Sequence, residues 1–479
     1  MMKDVVTGGI GYIWTFFSKI FIALIQIIQI LIFTRFLSTT ELGYIAILMI
    51  VVNFSLIFMD IGISNAIIQK KSISKKQLSS LYWLNIISGF FVFILVFFAS
   101  SYIADFYNAS QLLRPIQVLS ISFIVVSFGN QFKLLKRKNL AFKFISITEI
   151  CSALISFFLG IFLILNNYGI FSFVYSFLLN QTIISAVFLL DGLKKYRPQI
   201  FFNFNSISNF ISFGLYQMGQ NSIVYFNNQL DSLLIGKLLG LEVLGIYSVI
   251  KQLVMRPSQI INPVVSTVSF PIMSKLQDNL DALRKYYLSN LGIICSINFF
   301  IYSIFIFTST KILQLLLGDS WIIHSNIFVI LSIYASLRST TSPAGPLLLS
   351  RGRADIGFVW SIFELIFFTT TILLSINYHL VGIAYGLLIF QLLYLLPNWY
   401  FIVNKMCDAT IKEYFRVQII PFCLSILSIL PTALFLTDFI ENQIISFLSI
   451  VFFGLINYIF ISYHFNRQLT DTLKGSFIK

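Results

Sequence analysis

Long apolar segments, separated by short polar ones, run along the whole sequence. A helix that spans a membrane needs roughly 20 mostly apolar residues, and about fourteen segments reach that length. Lipid offers no partner to an unpaired backbone, and the segments are too continuous for barrel strands, so each is predicted to be a helix. The predicted spans lie near residues 10–33, 43–68, 80–104, 112–131, 144–165, 170–190, 206–229, 243–269, 287–309, 322–348, 356–376, 380–403, 417–437 and 443–463.

Composition indicates a chain whose main solvent is lipid. Of its 479 residues, 58% are hydrophobic and 10% are charged, a balance that a soluble protein of this length could not bury. A net charge of +14 could indicate nucleic acid, but the basic residues lie in short loops between apolar segments, which excludes that partner. The first apolar segment lacks a small-residue cleavage pattern and is predicted to be a retained span.

Loop charge predicts the topology. Every second loop is rich in Lys and Arg, whereas the loops between them carry mostly acidic residues, a pattern that places the basic loops in the cytoplasm. Both termini are therefore predicted to be cytoplasmic, which requires an even number of spans. The basic loops include residues 69–79, 132–143 and 191–205.

The outer loops are short, and this argues against a membrane enzyme. A membrane glycan polymerase needs an extramembrane region that holds a donor and an acceptor, and no loop is large enough. The sequence has no glycine-rich phosphate loop, no nucleophile–base arrangement and no His or Cys cluster with metal-ligand spacing. No catalytic or metal-binding residues are assigned.

An internal repeat relates the two halves of the chain. The stretch Thr34–Gly43 is a short polar hinge between two apolar segments, and Lys237–Gly245 repeats it 202 positions later. Six spans separate the hinges, so the halves are predicted to be parallel repeats related by a two-fold axis along the membrane normal. The predicted domains are a six-helix bundle at 1–200, a second at 201–405, and two additional helices with a cytoplasmic tail at 406–479.

Polar residues recur in the same register in spans 1 and 7, at steps of three, four and seven that place them on one helix face. Such a stripe must face protein or water. Two interpretations are open: amides that join packed helices, or the lining of an aqueous cavity, which the shared register favours. The candidate cavity residues on these stripes are Lys19, Gln26, Gln29, Gln217, Gln220, Asn221 and Asn228.

Charged residues inside predicted spans are further candidates, because a charge at the bilayer centre costs roughly 2.5–3.5 kcal/mol on insertion scales. Snorkelling, or a salt bridge such as Glu364 with Arg338, would account for some of them. Arg256 precedes Pro257 near the middle of span 8, where a helix break is expected to create an anion site. The remaining substrate candidates are Lys251, Gln259 and Arg338, and the ion-coupling candidates are Asp60, Asp231 and Glu364.

Short motifs in a fixed order resemble those of one transporter family. Arg35–Gly43 resembles the family's hinge, although Thr39 stands where the family often has proline. Asp60–Ser64 resembles the segment that follows that hinge, and Asp231–Tyr247 resembles its second-half counterpart. By these motifs the chain is similar to the Wzx-like polysaccharide flippases of the multidrug/oligosaccharidyl-lipid/polysaccharide exporter superfamily, of the colanic-acid-exporter type.

The resemblance implies two helical bundles around a central cavity, as in MATE transporters, that opens alternately to each side of a bacterial inner membrane. It implies a substrate of oligosaccharide linked through pyrophosphate to a polyprenyl lipid, such as an O-antigen, capsule or exopolysaccharide repeat unit. Amide side chains suit sugar hydroxyls, and Lys and Arg suit a pyrophosphate. No cofactor is expected apart from coupling to H⁺ or Na⁺, and the expected partners are the lipid bilayer and other polysaccharide assembly proteins.

Alternatives within the superfamily stay open. A multidrug or cation antiporter should have a cavity free of basic residues, and the four cations inside the predicted spans argue against it. A peptidoglycan-precursor flippase is closer to the favoured function. A membrane glycan polymerase is disfavoured by the short outer loops.

Overall fold

The chain folds into long α-helices. A computed structural model describes residues 2–60, 67, 73–440 and 442–465, without the side chains of residues 2–13, 60, 206, 209, 213, 216, 354, 437 and 438. No strand occurs in these ranges, and the all-α prediction is confirmed. The fourteen long helices of the described ranges are α1 Met2–Phe36, α2 Thr39–Asp60, α3 Lys75–Phe106, α4 Leu113–Lys138, α5 Phe142–Leu165, α6 Ile170–Lys195, α7 Phe204–Leu238, α8 Leu241–Lys275, α9 Leu280–Phe307, α10 Ser325–Thr341, α11 Ala354–Ser375, α12 His379–Asn398, α13 Ile411–Phe439 and α14 Gln443–Phe465.

Each long helix corresponds to one predicted span, and most ends differ by a few residues. Eleven segments are long and apolar enough to cross a membrane, and one of them, Asp355–Cys407, contains both α11 and α12. Helices α7 and α8 lie outside that set, and both carry many polar residues for their length. The chain is a polytopic membrane protein, as predicted.

Two compact units divide the chain, Met1–Ser248 and Val249–Lys479. In the first unit, α4 packs against α3 and α6, α5 packs against α1 and α6, and α2 packs against α7. In the second unit, α9 packs against α10 and α13, α12 packs against α10 and α11, and α13 packs against α14. The predicted division at 1–200, 201–405 and 406–479 follows the sequence repeat and not packing, and it stays a prediction.

Large side chains fill the interior of each unit. Tyr82, Phe132 and Phe188 form a buried cluster among α3, α4 and α6 of the first unit. Tyr287 of α9 and Tyr414 of α13 are fully buried in a cluster of the second unit. Helix α13 is therefore part of the packed interior of the second unit.

Helix α8 is continuous although it contains three prolines. The break that Pro257 predicts beside Arg256 is therefore wrong. Proline removes one backbone donor, but the turns on either side can hold the helix when side chains satisfy the carbonyl groups nearby. The Ser258 hydroxyl donates to a carbonyl one turn back at 3.0 Å, and the Tyr302 hydroxyl of α9 donates to the Val254 carbonyl at 3.1 Å.

Pro343 and Pro346 flank Gly345 and predict a break or hinge near Arg338 in the tenth span, and the structure has a break there. Helix α10 ends at Thr341, and a short helix, Ala344–Ser350, follows it. A proline has no amide hydrogen with which to continue the helical ladder of α10. The prediction of a break at this position is confirmed.

The polar hinge at Thr34–Gly43 is a helix start stabilised by a capping box. The Ser38 amide donates to the Glu41 carboxylate at 2.9 Å, and the Glu41 amide donates to the Ser38 hydroxyl at 3.3 Å. These reciprocal bonds satisfy donors that the first turn of α2 leaves without helical partners. The same device begins α3 with Ser74 and Gln77, and α13 with Thr410 and Glu413.

Gly129 allows α4 and α6 to approach each other closely. A Cβ atom at this position would lie 2.5 Å from Ser185 Cα and 2.6 Å from the Ser185 carbonyl oxygen. Both are backbone atoms, so a side chain could be added only if one helix moved.

We predict that Gly129→Ala destabilises the protein, because overpacking of this kind costs about 1–3 kcal/mol. Thermal unfolding in detergent, followed by tryptophan fluorescence, should show a lower midpoint. Gly219→Ala on α7 is the matched control, since no atom lies within 4 Å of its added Cβ. An unchanged midpoint for Gly129→Ala would contradict this account of the α4–α6 packing.

Candidate functional site

The polar stripe of α1 has an exposed part and a packed part. Lys19 and Gln26 are exposed. Gln29 faces the interface of α5 and α6, where its Nε2 donates to Ser176 Oγ at 3.5 Å beside Gly160. Gln29 thus joins packed helices, whereas the exposed residues need polar surroundings that lipid does not supply.

Helix α7 carries the other predicted stripe. Gln220, Asn221 and Asn228 are exposed, and Asn228 donates to the Val224 carbonyl of its own helix at 2.9 Å. Gln217 is half-buried, and its Oε1 is buried with no hydrogen-bond partner in the described ranges. These spacings place the four amides on one side of a helix that is long enough to span a bilayer.

Asp231 lies in a buried cluster where α7 turns into α8. Asp231 is only 3% exposed. The Tyr247 hydroxyl donates to Asp231 Oδ2 at 2.5 Å, while the Ser232 amide and hydroxyl donate to Oδ1 at 2.7 and 3.4 Å. Bonds of this kind replace part of the hydration that a buried carboxylate loses.

The basic candidates of α8 lie in the second unit. Lys251 and Arg256 are half-buried, and Gln259 is exposed. Arg256 and Gln259 are three residues apart and share a helix face, whereas Lys251 projects from a different side. The helix is unbroken at Arg256, so the site that a half-helix terminus would form is not available there.

A second polar cluster joins α10, α11 and α12. The Arg338 guanidinium donates to the Tyr334 hydroxyl at 2.8 Å. Glu364 is half-buried near the middle of α11, and the Tyr394 hydroxyl of α12 donates to it at 3.4 Å. The indole of Trp360 donates to the same hydroxyl. Arg338 lies close enough to Glu364 to attract it electrostatically.

Two other acids, one inside a predicted span and one just beyond the end of a span, have structural roles. Glu149 forms an ion pair with Lys133 at 2.7 Å, and Asp191 forms one with Lys136 at 2.6 Å. Both pairs join helices of the first unit near the ends predicted to be cytoplasmic. An ion pair therefore accounts for the charge of Glu149 inside a predicted span.

The tyrosines beside the acids were missed by sequence reasoning. Tyr247 bonds to Asp231, and Tyr394 bonds to Glu364. Tyr247 carried a usable signal, because it lies in the same repeated hinge region as Asp231. The side chain of Asp60 lies outside the described residues, so this ion-coupling candidate stays a prediction, as do the other site residues.

Residues 32–325, more than half of the chain, match the family described as polysaccharide biosynthesis protein. The chain belongs to this family. The teichuronic acid biosynthesis protein TuaB of Bacillus subtilis is 29% identical over 418 residues, which cover 87% of this chain and 86% of TuaB. The lipopolysaccharide biosynthesis protein WzxC of Escherichia coli is 27% identical over 417 residues, covering 87% and 85%.

Solved structures share the fold of this polysaccharide biosynthesis protein. The lipid II flippase MurJ, in an inward closed conformation, superposes with a TM-score of 0.78 at 17% identity, over 96% of this chain and 99% of MurJ. An inward-facing multidrug resistance MATE family transporter superposes with a TM-score of 0.63 at 13% identity, over 83% and 95%. At these identities the likeness shows the fold alone. With the family match, the prediction of a Wzx-like flippase of this superfamily is confirmed.

We predict that Tyr247→Phe destabilises the fold, because it removes a hydrogen bond to a buried carboxylate, worth about 1.5–3 kcal/mol. Unfolding in mixed micelles, followed by circular dichroism, measures the loss. Tyr225→Phe is the matched control, since its hydroxyl donates to a neutral carbonyl, that of Ile50, and should matter less. Equal effects of the two substitutions would contradict the role given to Asp231.

Proposed function

We propose that this protein carries oligosaccharide linked through pyrophosphate to a polyprenyl lipid from the inner to the outer leaflet of the bacterial cytoplasmic membrane. The exposed amide face of α7 carries the proposal. Gln220, Asn221 and Asn228 offer donors and acceptors on a helix that is long enough to cross the membrane. Sugar hydroxyls match such groups, whereas an apolar solute offers them no hydrogen bond.

Basic residues on the long helices support an anionic headgroup. Lys19 is exposed, and Lys251, Arg256 and Arg338 are half-buried. The planar guanidinium of arginine suits bidentate contact with phosphate oxygens, and lysine adds a point charge. The lipid tail needs no protein cavity, because the bilayer already solvates it.

The family supports a surface polysaccharide as the glycan. Two relatives of similar length are named for teichuronic acid and lipopolysaccharide biosynthesis. Alternating access, with both termini in the cytoplasm and other polysaccharide assembly proteins as partners, completes the proposal. A multidrug antiporter and a peptidoglycan-precursor flippase share the fold, so the substrate itself must discriminate among these functions.

Proteoliposomes provide the discriminating experiment. A fluorescent polyprenyl-pyrophosphate-linked oligosaccharide in the inner leaflet becomes accessible to membrane-impermeant dithionite only after it is flipped. We expect faster quenching with the protein than with empty liposomes, slower quenching with equally labelled lipid II, and no efflux of ethidium. Preferential movement of lipid II or of ethidium would overturn the proposal in favour of the corresponding alternative.

We predict that Arg256→Ala lowers the rate of flipping about tenfold, the equivalent of the roughly 1.5 kcal/mol of one hydrogen bond to a charged group. Arg256→Lys should retain part of the activity, because it keeps the charge without the planar fork. Arg284→Ala is the matched control, since Arg284 pairs with Asp281 at 2.8 Å at the start of α9. Wild-type flipping by well-inserted Arg256→Ala protein would remove Arg256 from the headgroup site.

We further propose that an H⁺ or Na⁺ gradient drives transport and that Glu364 takes part. A carboxyl group near the middle of a spanning helix is costly to keep charged. The groups around it are the hydroxyl of Tyr394 and the positive charge of Arg338, which allow it to exchange a cation within the protein. Asp231 is the second candidate, and the Ser232 amide and the Tyr247 hydroxyl both donate to its carboxylate.

We predict that Glu364→Gln protein still flips the lipid-linked oligosaccharide but no longer responds to the gradient, because the amide keeps the shape and loses the titrating group. Flipping is measured with and without an imposed proton or sodium gradient. Glu242→Gln, an exposed acid at the start of α8, is the control. A gradient response that survives Glu364→Gln would shift the assignment to Asp231, and its absence in wild-type protein would reject coupling.

A further inference from the structure

An aromatic side chain lies among the exposed amides of α7. Tyr225 is half-buried, and it follows Asn221 by four residues and precedes Asn228 by three. Residues three and four apart are neighbours on the surface of a helix, so these two exposed asparagines flank the ring. The amide face that supports transport of a glycan therefore also carries an aromatic ring.

Helix α2 holds this ring in place. The Tyr225 hydroxyl donates to the Ile50 carbonyl at 2.9 Å. The centre of the Tyr225 ring lies 5.8 Å from that of Phe54, with the two planes tilted by 31°. A hydrogen bond at the end of the side chain and an aromatic neighbour beside it restrict its rotation, so the ring is oriented before any ligand binds.

The accessible part of Tyr225 lies on the side of the two asparagines. Phe54 contacts Phe226 as well, at 5.0 Å between ring centres. Adjacent residues project from a helix about 100° apart, so Phe54 lies between Tyr225 and Phe226. This position is on the side of Tyr225 away from Asn221 and Asn228, and it leaves the opposite side of the ring open.

Asn53 of α2 extends the amide face across the contact between α2 and α7. It is half-buried and lies three residues after Ile50, to whose carbonyl Tyr225 donates. Residues three apart share a helix face, so Asn53 projects from the side of α2 that Tyr225 reaches. Two helices of the first unit thus place three amides on one side of a fixed aromatic ring.

We propose that Tyr225 is the centre of a sugar-binding subsite. Its ring stacks against the apolar C–H face of one sugar unit, while Asn53, Asn221 and Asn228 bond to the hydroxyls at the edge of that sugar. The negative face of an aromatic ring attracts polarised C–H groups, and an amide both donates to and accepts from hydroxyls. The inference rests on the proposed function, because the sugar belongs to the lipid-linked oligosaccharide.

The chemistry of the subsite favours a neutral sugar over other ligands. Its three amides carry no charge, so they offer a cationic solute no carboxylate and an anionic one no positive group. A purely apolar solute would use the ring but not the amides. The subsite is therefore distinct from the basic residues proposed for the pyrophosphate.

Two lipids separate the sugar from the rest of the substrate. Native mass spectrometry measures the dissociation constants of polyprenyl-pyrophosphate-linked oligosaccharide and of sugar-free polyprenyl pyrophosphate, and their ratio is the sugar preference. We expect wild-type protein to bind the first lipid more tightly. Tyr225→Leu should weaken binding of that lipid about tenfold, the order expected when an aromatic contact is lost, and leave binding of the sugar-free lipid unchanged.

Phe226→Leu is the matched control for Tyr225→Leu. It makes the same kind of replacement at the adjacent residue, which also contacts Phe54 but lies on the other side of it. The sugar preference should be unchanged. Asn221→Ala, at an exposed position, should lower the preference without altering the packing of α2 on α7.

The outcomes distinguish failure of the subsite from failure of the proposed substrate. An unchanged sugar preference in Tyr225→Leu would overturn the subsite. If Tyr225→Leu binds neither lipid, its fold is lost, and an unchanged preference in Asn221→Ala would overturn the subsite instead. Equal binding of the two lipids by wild-type protein would also overturn it, whereas binding of neither would refute the proposed substrate and the subsite with it.

Discussion

Every polar group that enters lipid must find its hydrogen-bond partner inside the protein. Hydroxyl groups do so within their own helix: Ser88 donates to the Leu84 carbonyl at 2.8 Å, and Thr148 donates to the Phe144 carbonyl at 2.9 Å. Larger polar groups can also reach a neighbouring element. Glu149 obtains an ion pair from the next helix, whereas Asp231 collects donors from its own helix and from α8. Polar pairing thus joins particular helices and gives each unit its specificity.

Because the solvent is lipid, glycine determines how closely two helices can approach each other. Helices in lipid are not driven together by the hydrophobic effect, so dispersion contacts between closely fitting surfaces must do this. At Gly129 the close fit joins α4 to α6, and at Gly43 and Gly245 it joins the two hinges. The first contact lies in the middle of a packed bundle, and the second lies at the ends of two hairpins. The same packing device therefore serves two different positions in the first unit.

The packed residues and the exposed residues of each polar stripe have different surroundings. Gln29 is inserted between helices and behaves as a link, while Gln26, one turn earlier, is exposed. On α7 the division falls between Asp231, which is enclosed by donors, and Asn221 and Asn228, which are exposed. The interpretation as a link between packed helices therefore holds for Gln29, and the cavity lining stays a prediction for the exposed residues. A helix in lipid can carry exposed amides only if water or a polar substrate meets them, which is the basis of the proposed transport of a glycan.

Apolar length, loop charge and the internal repeat were sufficient to predict an all-α membrane protein with one helix for each span, because the bilayer permits few other structures for such segments. The capping boxes were local enough to be encoded in four residues, as at Ser38 and Glu41. Contacts between distant residues could not be derived in this way. The three prolines of α8 suggested a break, and only the tertiary structure shows that the helix continues from Leu241 to Lys275.

The hinge pair separates what the sequence determined from what only the tertiary structure decided. The sequence by itself determined that Thr34–Gly43 and Lys237–Gly245 are equivalent turns, because a repeat is a property of the letters alone. It did not determine that Gly43 meets Leu241 while Gly245 meets Thr39. That contact depends on how α2 packs along α7, and helix packing is set by the summed fit of many side chains far apart in the chain. The tertiary structure therefore decided which of the repeated residues are turns only and which are partners.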